Sequence, residues 1–248
     1  MNINGVNTTS IININNTTFS SIAKMSNVTF VAPSPIPSGT VTTNLIMYLD
    51  AGVSASYSGS GTNWNDITYN GNDGTLVNNP TYSSANGGSI LFDGIDDYIA
   101  INNVNLNIAA GQNFVWNVWL KTPPILVGYK MIFSVNTYYL YLSLFNNQFA
   151  FDSRVAPSVR FGTLTTNTWY NVTIVRDADV DYRYINGVLI DTNPNAYTPT
   201  GIFAVGKWAF NDTLFYDSNI SVVSVYNETL RDSEVLQNFD TLKSRYGY

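Results

Sequence analysis

From Asn44 to the C-terminus, short runs of alternating apolar and polar residues recur between turn signals. Period-two alternation places one set of side chains on each face of an extended strand. A chain built from such runs buries its apolar faces by packing sheet on sheet. Leu140, Leu142 and Leu144 face one way, Tyr139, Tyr141 and Ser143 the other, and Asn146-Asn147 can turn the chain into Gln148-Phe149-Ala150-Phe151. Leu45 to Leu49 reads as a strand ended by Asp50-Ala51-Gly52, and Trp169 to Val175 as another. Tyr182-Arg183-Tyr184-Ile185 leads to Asn186-Gly187, a pair suited to the two positive φ angles of a type I′ hairpin, and Val188-Leu189-Ile190 returns. One helix is predicted near the end. There Val235, Leu236, Phe239 and Leu242 make an apolar stripe, with Asp232 and Glu234 at its positive end and Lys243 and Arg245 at its negative end.

Composition narrows the chemistry. The 248 residues are 45% hydrophobic and 14% aromatic, enough for a core, although only 11% are charged. His and Cys are absent. That excludes disulfides, thiolate nucleophiles, iron–sulfur clusters, cysteine-ligated zinc and any imidazole base. The net charge is −6 and no basic stripe is present, so nucleic acids and anionic membrane surfaces are not expected partners. No run approaches the ~18 apolar residues of a membrane span. Met1 to Ser10 lacks the basic and apolar regions of a secretory signal, so synthesis in the cytoplasm is expected.

Residues 1–32 alternate Ile, Val or Phe with Asn, Thr and Ser and carry one charge, Lys24. They read either as an arm that pairs with a partner or sister chains, or as a disordered tail. Pro33, Pro35 and Pro37, followed by Ser38-Gly39, make residues 33–43 a stiff linker, which leaves 44–248 as the domain.

A set of motifs runs through that domain in order: Trp64-Asn65-Asp66, Gly71-Asn72-Asp73-Gly74-Thr75-Leu76, Phe92-Asp93-Gly94-Ile95-Asp96-Asp97-Tyr98, Phe114 to Lys121 with its terminal Trp119, Tyr184-Ile185-Asn186-Gly187, and Ile220 to Tyr226 followed by Leu230 and Glu234-Val235. The series resembles the laminin-G-like (concanavalin A-like) jelly-roll family over residues 44–248. The resemblance implies an all-β fold: a two-sheet antiparallel jelly-roll sandwich with one short C-terminal helix, here preceded by an extended N-terminal arm. Family versions with an Asn/Thr/Ser-rich arm and a closing Lys243-Ser244-Arg245-Tyr246-Gly247 resemble virion proteins of phages and other large DNA viruses. That implies a capsid decoration, fibre or tail-associated protein on the virion surface, bound to other virion subunits through residues 1–43 and homo-oligomeric, with host glycans as candidate ligands. A host-cell adhesin as the main role is the alternative, and a polysaccharide-active enzyme is disfavoured.

The residues themselves give the same ranking. Retaining glycoside hydrolysis needs two carboxylates ~5 Å apart. The two Glu, Glu228 and Glu234, both lie near the C-terminus. Asp96-Asp97 is the remaining pair, and in a strand adjacent side chains diverge, so no catalytic residue is expected. Asp177, Asp179 and Asp181 lack the Gly and Glu of a calcium loop and read as a hairpin tip. Asp93, Asp96, Asp97 and Asp217 are candidate calcium ligands of the kind some relatives carry, against a reading as turn-capping carboxylates. No cofactor is required. Trp116 and Trp169 are assigned to packing. Trp119, on a face shared with Asn117 and Lys121, is a candidate for carbohydrate docking together with Tyr139, Tyr141 and Trp208. The Asn-x-Ser/Thr matches, such as Asn171-Val172-Thr173, follow from composition.

Overall fold

A computed structural model describes residues 2–3, 6–7, 34–101, 112–137, 140–152, 159–194, 200–209 and 212–248. The chain divides into two compact units, Met1–Ser34 and Pro35–Tyr248. In the first, β1 (Asn2–Ile3) pairs antiparallel with β2 (Val6–Asn7).

The second unit is an all-β sandwich. Its strands are β3 (Leu45–Asp50), β4 (Asn63–Trp64), β5 (Gly74–Val77), β6 (Thr81–Ser83), β7 (Ser89–Leu91), β8 (Tyr98–Ile101), β9 (Phe114–Lys121), β10 (Tyr129–Thr137), β11 (Tyr141–Phe145), β12 (Gln148–Asp152), β13 (Val159–Phe161), β14 (Trp169–Asp177), β15 (Val180–Ile185), β16 (Val188–Pro194), β17 (Thr200–Val205) and β18 (Asn219–Tyr226). One sheet runs β13-β12-β11-β10-β17-β8-β5-β4. The other runs β16-β15-β14-β9-β18-β7-β6, with β3 also paired to β18. Every pairing described is antiparallel, as the short turns and period-two patterns predict.

β9 shows how the alternation is used. Phe114, Trp116, Val118 and Leu120 enter the core between the sheets, while Val115 and Trp119 join a second apolar cluster on the outer face. Both faces are buried because α1 (Asp232–Leu242) and the 3-10 turn Lys243–Tyr246 cover the outside of the sheet. Val235, Phe239, Leu242 and Tyr246 supply that cover, whereas Leu236, placed by periodicity in the same stripe, is 43% exposed. The helix starts as its acidic first turn predicts: the Arg231 N–H donates to Glu234 Oε2 at 2.9 Å.

Residues 35–43, expected to be linker, belong to the second unit. Val41 is buried, its N–H donates to Asn238 Oδ1 at 2.8 Å, and its carbonyl accepts the Tyr226 hydroxyl at 2.9 Å. The Asp177–Val180 tip is a tight hairpin with Ala178 at φ 49°, but Asp181 lies inside, beside Arg176 and Arg183, as a buried ion pair rather than a solvated tip.

Candidate functional site

The Trp64-Asn65-Asp66 motif is explained by one loop. Trp64 is fully buried, and Asp66 organises the turn that follows it. Its Oδ1 accepts the N–H of Tyr48 (3.0 Å) and of Thr68 (3.0 Å), its Oδ2 the N–H of Asn72 (3.2 Å), and both oxygens are within 2.8 Å of the Thr68 hydroxyl. Asp73 Oδ1 accepts the Asp66 N–H at 2.7 Å, and Asn72 Nδ2 donates to the Ile46 carbonyl at 2.6 Å, tying the loop to β3. Gly74 has no room for a side chain: a Cβ there would stand 2.8 Å from Ile99 Cγ2. This loop borders an open depression of about 380 Å3 lined by Asn65, Ile67, Tyr69, Asp73 and their neighbours. A second depression, of about 270 Å3, lies between Tyr57, Tyr82, Ser60, Thr62 and Asn79.

The Asp93 neighbourhood departs from expectation. Residues 93–97 form a turn ahead of β8, not a strand, so the Asp96 and Asp97 carboxylates do not diverge. One oxygen from each of Asp93, Asp96 and Asp97 falls within 4.8 Å of the others. Asp93 Oδ1 accepts the N–H groups of Ile95 (2.8 Å), Asp96 (3.3 Å) and Asp97 (3.4 Å), and these bonds hold its pKa below the ordinary carboxylate value. Asp97 is buried and accepts the Asp93 N–H at 3.0 Å; burial and the nearby acidic charges raise its pKa. Asp93 and Asp97 cap their own turn, and with Asp96 they offer hard oxygen donors, the chemistry calcium takes, with six to eight ligands in all. Asp217 does not complete the set: its Oδ2 is ion-paired with Lys130 at 2.9 Å, a cation where a ligand charge was expected.

The aromatic candidates do not converge. Trp119 is fully buried, stacked between Phe239 and Tyr246 at ring distances of 5.5 and 4.0 Å, so no sugar reaches it. Its neighbour Asn117 belongs to a buried polar ladder with Ser224, Asn171 and Thr173. Tyr141 is half-buried in the opposite sheet, and Trp208 is half-buried in a bridge with Thr213. Tyr139 lies outside the described residues. Trp116 and Trp169 pack as expected. Sequence reasoning missed Tyr69; its signal was a bulky aromatic standing alone inside a Thr/Asn/Gly turn.

Comparison with known families adds a decisive match. The profile of the laminin-G-type concanavalin A-like lectin/glucanases superfamily matches residues 93–236, more than half of the chain. The chain belongs to this superfamily. Among solved structures, a Trypanosoma rangeli sialidase in complex with 2,3-difluorosialic acid superimposes with TM-score 0.64 at 16% identity, covering 84% of this chain and 35% of the sialidase. The binding domain of Paraclostridial Mosquitocidal Protein 1 gives 0.66 at 14%, covering 80% and 52%. The binding domain of botulinum neurotoxin serotype G gives 0.62 at 18%, covering 81% and 52%. The superfamily member described here thus spans about a third of the sialidase and about half of each toxin domain, and at these identities the likeness is one of fold. A comparison with curated protein sequences finds no match. Among the described residues, no helix is long and apolar enough to cross a membrane.

Proposed function

We propose that this chain is a non-enzymatic glycan-binding module displayed on the surface of a virus particle, with its N-terminal segment as the attachment. The observation that carries the binding role is the pair of open depressions bordered by tyrosines and by amide and hydroxyl side chains. Sugar rings present apolar faces and hydroxyl edges, and such linings match both. The non-enzymatic role is supported by how the carboxylates are used. Glu234 caps α1, Glu228 Oε2 accepts from Asn113 at 3.1 Å, and Asp93 and Asp97 hold their own turn. The test is labelled full-length protein on an immobilised panel of neutral and sialylated oligosaccharides, with reducing-end release followed in parallel. Saturable binding without release is expected. Release of reducing ends makes the chain an enzyme, and no binding by folded protein removes the glycan role.

One observation favours a second reading, a structural element that joins copies of itself. β16 stands at a sheet edge with Val188, Leu189 and Ile190 exposed at 59%, 39% and 45%. An edge strand that opens on three exposed apolar residues is a template for another strand, and a two-fold axis would pair β16 with β16 of a second copy.

A further inference from the structure

Tyr69 is 80% exposed and sits at φ 65°, in the left-handed region that a bulky non-glycine residue rarely adopts. Such strain persists only where the surroundings enforce it. Here they do: Thr68 and Asn70 on either side are both bonded to the Ile46 carbonyl, at 3.3 and 3.2 Å, and the Tyr69 N–H donates to the Asp66 carbonyl at 3.3 Å. The loop therefore carries an aromatic ring away from the core at a conformational cost, and the ring borders the 380 Å3 depression. Exposed Asn65 and Asp73 stand at the same depression, with Ile67 on its lining. In the Tyr57/Tyr82 depression Tyr57 is only 4% exposed and Tyr82 is half-buried against it and the core, so neither ring stands as free as that of Tyr69.

We infer that Tyr69 is the stacking platform of a subsite for a neutral sugar ring, with the Asn65 amide and Asp73 carboxylate as hydroxyl partners. The inference rests on the glycan-binding reading and fixes its location and charge class. The lining holds two carboxylates, Asp66 and Asp73, and no Lys or Arg. An anionic sugar such as sialic acid would meet like charge there, and a neutral pyranose would not.

The test is isothermal titration of the full chain and of Tyr69→Gly with lactose, maltotriose, cellotriose, mannotriose, chitotriose and 3′-sialyllactose. Glycine adopts positive φ freely, so Tyr69→Gly should melt no lower than the parent. It should nevertheless bind the neutral ligand roughly tenfold or more weakly, as loss of an aromatic stack implies. Tyr69→Phe should retain binding, and 3′-sialyllactose should bind no better than lactose. Undiminished binding by a folded Tyr69→Gly overturns the subsite and leaves the glycan-binding reading standing. Absence of binding by the parent to every ligand overturns both, and preference for 3′-sialyllactose overturns the charge assignment.

Discussion

Asp97 shows how a single buried carboxyl couples this fold to solution conditions. Its pKa is raised by burial, reinforced by Asp93 and Asp96, against the opposing Asp93 N–H bond. A carboxyl whose folded-state pKa exceeds its unfolded value adds stability below the unfolded pKa, and that contribution is lost as pH rises through the folded pKa. At neutral pH the ionised group is therefore destabilising. Asp97→Asn keeps an acceptor for the Asp93 N–H and should raise Tm at pH 7. The gain should disappear as pH falls below the ordinary carboxylate value of 3.8. Differential scanning calorimetry across pH reads this directly. Millimolar calcium should raise the Tm of the parent and not of Asp97→Asn if the triad binds the ion; indifference of both assigns the triad to turn capping alone.

Among the elements, the C-terminal helix and turn decide what the sheet's outer face can do. Arg245 makes a bidentate contact with buried Asp50, at 2.8 and 2.9 Å, through space that Gly52 and Gly87 leave open. A Cβ on Gly52 would stand 2.2 Å from Arg245 Nη2. Arg245→Ala strands the Asp50 charge and should cost about 3–5 kcal/mol in urea unfolding. Arg231→Ala, which removes only an exposed ion-pair partner of Glu234, should leave the urea midpoint essentially unchanged. Trp119→Ala should lose about 3–5 kcal/mol of stability while leaving glycan affinity unchanged, since Trp119 is core and not surface. The closing Arg245-Tyr246-Gly247 is thus a clamp on the fold. Strands, hairpins and the helix were legible because period two, Asn186-Gly187 and the acid-started stripe are local signals. That Trp119 is covered was not, because the covering residues Phe239 and Tyr246 lie more than a hundred positions away and alternation alone cannot say whether an outer face meets water. The Asp96-Asp97 geometry was misjudged for a related reason: a turn, not a strand, carries the pair. Tyr69 escaped because exposure and φ belong to the folded loop and leave no periodic trace.

For the whole molecule, the two units give the attachment and display parts of the proposal separate tests. Because Val41 is part of the second unit and bonded to Asn238 and Tyr226, the boundary to cut is at residue 34. A chain of residues 35–248 should fold and keep its Tm, whereas removal of residues 1–43 should lower it by stripping the Val41 contacts with Asn238 and Tyr226. If β16 joins copies, Ile190→Lys should shift sedimentation from dimer to monomer without changing the circular dichroism spectrum; a parent that sediments as a monomer at all concentrations removes that interface. The central claim, a sandwich whose 65–73 loop holds a neutral sugar without altering it, is tested most directly by amide NMR of the full chain titrated with the neutral oligosaccharides. The account predicts saturating shifts centred on residues 65–73 and unchanged sugar resonances throughout. Shifts centred elsewhere, or the growth of new reducing-end signals, would contradict it.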